Sequence, residues 1–589
     1  MLTYREIIKN YLYLCTQKYY CNMKTISDYR TFWLLLIICC LTLLPFLGLP
    51  EYHTKGEPRE SIVSYSMIET GNWVLPRNNG GEMAYKPPFF HWCVAAVSVV
   101  WGKVTEATSR VPSAIALILM TLSTFCFYHR RNGVRVALVT ALVAYTSFEL
   151  HRAGANCRVD MVLTALTVGS LYLLYKWYEN GLRGVPLLAI LLMGLGTMTK
   201  GPVGSLIPCL VMGCFMILRG VNFFKTFLLL FAWGLLSLIP YAVWFFFAWQ
   251  QGGQEFLDLM YEENIGRMTS TMGYESCVEP WYYNFITVIA GYVPWTLMLV
   301  ISLFFLKYRK PSQPATLWHR FSQWIRQMDA VDLFSLTAIV VIFVFYCIPQ
   351  SKRSVYLMPI YPFIAYFISR LIRWMERRKL PVVKIYGSIL AVLSILLLVC
   401  FVVVKSGMVP ENIFGTGRHA AQNVMMLHAL EDINGLGSWL LVLVPPVLGI
   451  AWFGLPRKNI FGVLVLTLGL YLSLDGVYTP TVLNAKSLKH EASQIDKLAT
   501  GALYEYIEAG VKAKGDPVHF FELNFYLGNR IGSFHQEQPS EGFLLISKDD
   551  AENNFPEFQR KGYAFKQVYE TDRRQVQLYQ FTLRAGGEQ

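Results

Sequence analysis

The sequence predicts an α-helical polytopic membrane protein with a small α/β domain at its carboxy-terminal end. Of its 589 residues, 54% are hydrophobic and only 15% are charged, whereas about a quarter of an ordinary soluble domain is charged. Apolar runs of roughly the 20 residues that a membrane helix needs recur between residues 32 and 476. The low charge excludes a soluble globular enzyme. Aromatic residues make up 15% of the chain, and its twelve cysteines are scattered, which excludes a disordered chain and a disulfide scaffold.

Thirteen apolar runs are predicted to cross the membrane. The polar and basic leader at residues 1–31 lacks the short basic region and cleavage site of a signal peptide, so we expect a retained first span and a cytoplasmic amino terminus. The runs lie at 32–50, 109–128, 134–150, 158–177, 184–199, 202–219, 224–249, 283–307, 330–348, 354–372, 383–405, 436–454 and 459–476.

The charges at the ends of these runs support the count. With alternating sides, the basic connections, among them 129–131, 307–326 and 370–384, fall in the cytoplasm, as the positive-inside rule requires. The outer side receives loops 51–108 and 250–282 and the carboxy-terminal tail. Most of the formal net charge of +13 is therefore explained by topology, and no nucleic-acid partner is predicted.

The apolar stretch 89–100 is left out of the count, because counting it would place the basic turn after residue 128 outside. Trp92 and Trp101 suit a helix lying at the membrane interface. The alternative is a true span with a fourteenth crossing elsewhere.

From about residue 479 the composition becomes that of a soluble domain. A helical pattern at 491–511 alternates with strand-like runs at 518–521, 542–546 and 576–581. The segment 479–589 is therefore predicted to form a small outer α/β domain, most simply a cap or docking domain.

Several cations violate the positive-inside rule because they lie on the predicted outer side. Each borders a helix end, where a long cationic side chain either reaches lipid headgroups or faces an anion. Because they come from four outer segments at one depth, they favour a shared anionic ligand. They are Arg59 and Lys86, Arg152 and Arg158, Lys200, and Lys352 with Arg353.

Carboxylates occur on the same side. Glu57 and Glu60 are spaced to share one face of a helix, Asp160 begins a span, where the helix dipole alone would favour it, and Glu263 lies in the large outer loop. Cations can neutralise a phosphate leaving group while a carboxylate removes a proton from an attacking hydroxyl. The combination predicts chemistry on a lipid-linked phosphate.

These residues lie in a series of short motifs at 56–60 (GEPRE), 71–78 (GNWVLPRN), 85–92 (YKPPFFHW), 109–114, 158–161, 199–202, 281–283, 293–295 and 351–359. In their order and spacing together, the motifs resemble those of the bacterial lipid A aminoarabinose transferases and, more broadly, of the protein mannosyltransferase superfamily of GT-C glycosyltransferases. The resemblance covers about residues 30–375.

The resemblance implies a GT-C fold with about 13 transmembrane helices at 32–478 and interfacial helices in the first outer loop. It also implies an enzyme that moves a hexosyl or pentosyl group from a polyprenyl-phosphate donor. The acceptor would be lipid A, another glycolipid, a glycan or a protein at the periplasmic face of a bacterial inner membrane.

Carried over residue by residue, Lys86 matches the lysine that contacts the donor phosphate, and Lys200 and Lys352 match further cations of that site, to which we add Arg353. Asp160 matches an acid after the second outer loop, so Glu57 or Asp160 would orient or deprotonate the acceptor. The other candidates for the pocket are Arg59, Glu60, Arg158, Glu263 and Tyr356.

Three positions depart from the family pattern. Its Asp-Glu pair reads Gly56-Glu57 here, Tyr85 replaces an acid before the lysine, and the Glu-His pair reads Glu263-Asn264. The last two positions are associated with a divalent metal in one branch of the family. Losing both an acid and a His argues against that metal, and no metal ligand is predicted.

Two other functional classes are kept as alternatives. A lipid or sugar transporter or flippase would also use many spans, but the chain lacks the internal repeat that many transporters show, and the unusual charges lie at the outer face. An inactive scaffold is suggested by Gly56.

Overall fold

The computed structural model is a helical bundle followed by a small sheet domain. It describes residues 26–78, 81–263, 278–306, 325, 327–417, 420–507, 519–571 and 576–584.

The bundle is formed by helices α1 to α19. A short hairpin of two strands, β1 and β2, with two residues each, lies between α2 and α3. Their bounds are α1 Ile26–Leu43, α2 Gly56–Thr70, β1 Arg77–Asn78, β2 Glu82–Met83, α3 Phe89–Trp101, α4 Glu106–Asn132, α5 Val134–Tyr145, α6 Phe148–Gly154, α7 Val159–Glu179, α8 Leu187–Lys200, α9 Val203–Leu218, α10 Phe223–Tyr261, α11 Tyr283–Gly291, α12 Trp295–Leu303, α13 Ala330–Cys347, α14 Tyr361–Arg377, α15 Val382–Lys405, α16 Ala420–Glu431, α17 Leu436–Gly454, α18 Ile460–Ser473 and α19 Thr479–Asn484.

The described helices make the chain a multi-pass membrane protein. Nine are long and apolar enough to cross a membrane, and up to eleven if the bent pairs α5–α6 and α11–α12 are each one span. The two remaining predicted spans are α8 and α9, which are helices of only 14 and 16 residues. The predicted count of thirteen therefore includes these two short helices.

Two spans extend beyond their predicted ends. Helix α10 continues past residue 249 only as far as Gly253, whose φ of 56° is not helical and suits glycine. A second helical segment, set at a kink to the first, then runs to Tyr261 within the predicted loop. After α18, a π turn leads directly into α19. Pro480 is tolerated in the first turn of α19, where its missing N–H is not needed, so the helical run passes the predicted boundary at 479.

The predicted first outer loop contains α2, the β1–β2 hairpin and α3. Helix α3 has 13 residues, which corresponds to about 20 Å and is too short for a hydrocarbon core of about 30 Å. This length is compatible with an interfacial helix, but α8 is only one residue longer, so the interfacial position of α3 stays a prediction.

The carboxy-terminal domain is built on a five-stranded sheet with the order β4–β3–β5–β7–β6. Strand β3 is parallel to β4 and β5, and β7 is antiparallel to β5 and β6. The predicted α/β class is confirmed. Its elements are α20 Lys489–Leu498, β3 Leu503–Glu505, α21 Phe521–Tyr526, β4 Ile531–Ser533, α22 Phe534–Glu537, β5 Glu541–Ser547, α23 Lys548–Arg560, β6 Tyr563–Glu570 and β7 Val576–Leu583.

Two local predictions in this domain are wrong. The helical pattern predicted at 491–511 divides into α20 and β3, because apolar residues of a helix and a following buried strand form one continuous pattern in the sequence; residues 508–511 lie outside the described residues. The strand predicted at 518–521 is instead the approach to α21, which begins at Phe521; residue 518 lies outside the described residues.

The sheet domain packs on the first outer loop. Phe521 and Phe525 are buried against Tyr52 and Ile62, and the Tyr52 N–H donates to the hydroxyl of Tyr526 at 2.8 Å. The domain therefore lies at the end of the bundle that carries α2 and α3.

Candidate functional site

A cavity of about 240 Å³ opens between the α2–α3 segment, the α8–α9 turn and the segment that follows α13. It brings together four residues that the sequence analysis singled out from distant motifs. Lys86, Lys200, Glu263 and Tyr356 all line it, and Tyr85, Tyr241 and Tyr346 supply much of the remaining wall.

The ammonium group of Lys86 is held by Glu60. Lys86 Nζ donates to Glu60 Oε1, while Glu60 Oε2 lies 3.0 Å from His91 Nε2 and Arg59 Nη2 lies 3.4 Å from Oε1. Burial would raise the pKa of Glu60, but Lys86, His91 and Arg59 together hold it well below its ordinary value. Glu60 is therefore an ionised clamp that fixes the position of Lys86.

Burial has the opposite effect on the lysine. It lowers the pKa of Lys86 to about 8, although the negative charge of Glu60 and, more weakly, that of Asp160 favour the charged form. Lys86 is consequently a cation whose charge is sensitive to mildly alkaline pH.

Lys200 ends α8 at the opposite wall of the cavity. Its Nζ donates to Asp160 Oδ1 and lies 4.1 Å from the ring centroid of Tyr356. The chain reverses at Gly201, which has a φ of 76°. Helix α9 then approaches α8 so closely that a Cβ at Gly204 would lie 2.2 Å from the backbone of α8.

The carboxylate partner of Lys200 comes from the first turn of α7. Asp160 begins that helix, where a negative charge is favoured by the helix dipole, and its charge also acts on Lys86. The lysines are thus paired with Glu60 and Asp160 respectively. Neither carboxylate lines the cavity, so the cavity presents two cations, each held by a carboxylate behind its wall.

The predicted role of Glu57 is not supported, because both of its carboxylate oxygens are occupied. Arg110 Nε and Nη2 donate to Oε1 and Oε2 at 2.9 Å each, and the Cys157 N–H donates to Oε1 at 2.7 Å. Burial raises the pKa of Glu57, but Arg110 and the Cys157 N–H outweigh it and lower the pKa. Glu57 does not line the cavity; it joins α2 to α4.

Lys352 and Arg353 also lie outside the cavity wall. Lys352 is buried and its Nζ donates to the carbonyl oxygens of Glu279 and Gln350, at 3.0 and 3.3 Å, so it connects two backbone segments next to the wall residue Ser351. Arg353 is exposed. Direct phosphate contact by either side chain stays a prediction.

Gly56 and Arg158 face each other. A Cβ at Gly56 would lie 3.1 Å from Arg158 Nη2, and the buried Arg158 Nε–H donates a hydrogen bond to no acceptor among the described residues. The acid that the family pattern has at position 56 would therefore meet this guanidinium, so the charge of Arg158 is left less compensated here.

We expect Gly56→Asp to stabilise the protein by about 0.5–1 kcal/mol, because a carboxylate would pair with Arg158 and with the amino terminus of α2. Gly56→Ala is the control, since it adds the same Cβ without the charge. Thermal unfolding of the two variants in detergent checks this, and equal midpoints would contradict the pairing.

The described residues of the site do not form a metal-binding group. In the described part of the chain, no group of three or more His, Cys, Asp and Glu side chains could hold one, and Glu60 and Asp160 already face ammonium groups. Glu263 lines the cavity, whereas Asn264 lies outside the described residues.

Two residues of this region were missed by the sequence analysis. Arg110 follows the pattern that identified the other cations, since it stands at the predicted outer start of a span, and His91 lies within the motif around Lys86. Neither has a local signal for its carboxylate partner, which lies 53 residues away for Arg110 and 31 for His91.

Comparison with known proteins agrees with this fold. The sequence profile described as dolichyl-phosphate-mannose-protein mannosyltransferase matches residues 85–246. The crystal structure of ArnT from Cupriavidus metallidurans bound to undecaprenyl phosphate superposes with a TM-score of 0.67 over 94% of this chain and 98% of that chain, at 18% identity. The chain is thus an integral membrane protein of the GT-C fold.

Relatives by sequence point the same way. An undecaprenyl phosphate-alpha-4-amino-4-deoxy-L-arabinose arabinosyl transferase of Pseudomonas aeruginosa is 26% identical over 56% of this chain and 58% of its own length. An uncharacterized protein of Aquifex aeolicus is 25% identical over 56% of this chain and 62% of its own. The matches thus span about six tenths of these relatives, and with the fold they place the chain in the GT-C glycosyltransferase superfamily.

Proposed function

We propose that this protein transfers a sugar from a polyprenyl-phosphate donor to an acceptor at the outer face of a bacterial inner membrane. The observation that carries the proposal is the meeting of Lys86 and Lys200 at one cavity. Two ammonium groups at the end of a helical bundle suit the phosphate of a lipid whose chain remains in the membrane.

The proposed reaction is a displacement at the anomeric carbon of the sugar. An acceptor oxygen forms a bond to that carbon, the bond from the carbon to the phosphate oxygen breaks, and the polyprenyl phosphate leaves with the additional negative charge. Lys86 and Lys200 neutralise this charge as it develops. Of the two predicted carboxylates, only Asp160 is paired with a lysine of the cavity, Lys200, although it does not line the cavity itself. Asp160 is therefore the one that we retain to orient the acceptor or take its proton.

The names of the relatives support a narrower proposal, in which the donor is undecaprenyl phosphate carrying an aminopentose and the acceptor is a lipid such as lipid A. A glycan or protein acceptor is less well supported. The amino terminus would be cytoplasmic, and the carboxy-terminal domain periplasmic.

The test is to reconstitute the full chain with an undecaprenyl-phosphate-linked sugar and lipid A and to analyse the products by mass spectrometry. A pentose-, hexose- or aminosugar-sized increment on the acceptor is expected. Movement of the donor across vesicles without transfer would instead establish the transporter alternative.

The pKa of Lys86, about 8, predicts an alkaline limit to donor binding. Below this pH the ammonium attracts the phosphate; above it the neutral amine does not, so KM for the donor should rise as pH passes about 8. Lys86→Arg keeps its charge at these pH values, and its KM should stay flat even if its rate is lower. An unchanged alkaline rise in the arginine variant would assign it to another group.

A further inference from the structure

A second and larger cavity lies at the opposite end of the bundle. It has a volume of about 910 Å³ and is formed where three helix hairpins meet: the α4–α5 turn, the α14–α15 turn and the α17–α18 turn. Helix α4 begins near Arg110, at the end of the bundle that carries the candidate functional site, and ends at this second cavity. Its 27 residues span about 40 Å, which is the approximate distance between the two ends.

The wall of this cavity is strongly cationic. Glu376 is the single carboxylate among the residues that line it, and it is paired with Arg135 at 2.9 Å. No ion pair joins the remaining five cations to a carboxylate within the described ranges. These five are Arg373, Arg377, Lys379, Lys384 and Lys458.

One of these cations occupies a backbone position that glycine usually fills. Lys379 follows the carboxy-terminal end of α14 with a φ of 55°, and residues in this left-handed conformation after a helix are commonly glycine because other side chains are strained there. The chain thus carries a lysine at the cavity in spite of an unfavourable conformation.

Apart from Asn132 and Gly133, the rest of the wall is apolar, which suits a lipid better than a free anion. Val134, Pro381 and Val383 line the cavity, and Trp374, which is 38% exposed, lies beside it on α14, as aromatic side chains do at membrane interfaces. The positive-inside rule explains why cations lie on this side, but not why three hairpins direct them to one concavity.

We propose that this cavity binds the phosphate headgroup of an anionic membrane phospholipid. Basic cavities between membrane helices on the cytoplasmic side provide this chemistry, with arginine and lysine donating to phosphate oxygens. The proposal concerns a ligand of the opposite leaflet, and it does not depend on the transferase function.

The test measures thermal unfolding of the full chain in detergent with phosphatidylcholine, with phosphatidylglycerol or cardiolipin, and with soluble glycerol 3-phosphate. A ligand that binds only the folded state raises the unfolding midpoint. We expect the anionic lipids to raise it by several degrees, and phosphatidylcholine and glycerol 3-phosphate to leave it unchanged.

The variant Arg373→Gln/Arg377→Gln/Lys384→Gln should lose most of this increase. The matched control is Arg130→Gln/Arg183→Gln/Lys225→Gln, which removes three exposed cations of the same predicted face that do not line the cavity, and it should keep the increase. Since a triple variant can also lose folded protein, Lys384→Gln alone serves as a milder variant and should show a smaller increase than the wild type.

Three outcomes would overturn the proposal. An equal increase in the wild type and both cavity variants would show that the lipid acts elsewhere. An equal loss in the control would show a general effect of surface charge. An increase with glycerol 3-phosphate as large as that with anionic lipid would assign the cavity to a soluble phosphate ligand.

Discussion

Lys86→Ala is expected to abolish sugar transfer, lowering kcat/KM by about 10²–10³-fold. Lys86 is the cation that Glu60 fixes at the cavity, so its removal would deprive the departing phosphate of half of its lysine charge. It would also leave the negative charge of Glu60 close to the donor with only Arg59 and His91 beside it. The measurement is the initial rate of transfer from a polyprenyl-phosphate donor in reconstituted vesicles.

Lys103→Ala is the matched control, since Lys103 is an exposed lysine of the same predicted loop that does not line the cavity; it should retain full activity. The activity of Glu60→Gln should fall between those of the two variants, because the glutamine keeps the shape of the side chain but holds Lys86 without a negative charge. A fully active Lys86→Ala protein would refute the assignment of the site.

The second large effect is expected on stability. Arg110→Ala should destabilise the fold by about 3–5 kcal/mol, because it leaves Glu57 as a buried and unpaired charge. Arg110 is only 1% exposed and also donates to the carbonyl oxygens of Leu47 and Pro50, at 2.8 and 2.5 Å, so helix α2 and the segment before it would lose a common partner. The unfolding midpoint of the purified variant in detergent measures the loss.

The double variant Glu57→Leu/Arg110→Met separates the unpaired charge from the lost packing. It removes both charges and retains apolar volume, so it should be markedly more stable than Arg110→Ala, as replaced buried ion pairs are elsewhere. If the single and double variants unfold at the same midpoint, the ion pair does not cause the instability.

The residues of the cavity could be predicted because topology places them. Lys200 and Tyr356 stand at predicted span ends and Lys86 stands in a predicted loop on the same side of the membrane. The order of the apolar runs is therefore enough to bring all three to one face. The positive-inside rule then marks the two lysines as exceptions.

The distinction between Glu57 and Glu60 could not be predicted, because it depends on tertiary packing. Their spacing places both on one side of α2, and both are buried. The two side chains point in slightly different directions from α2. Glu57 therefore pairs with Arg110 on α4, whereas Glu60 contacts Lys86 and His91. Helix periodicity specifies a face, but it does not specify which neighbouring element that face meets.

The shortness of α8 and α9 has a consequence for the lipid around them. As predicted spans, their 14 and 16 residues reach about 21 and 24 Å, against a hydrocarbon core of about 30 Å. Local thinning is one way in which a bilayer accommodates such a deficit, and we expect it to draw the headgroup layer inward beside the turn that carries Lys200. Membrane thickness would then affect access of the proposed donor, because its phosphate would reach this lysine without leaving its own leaflet.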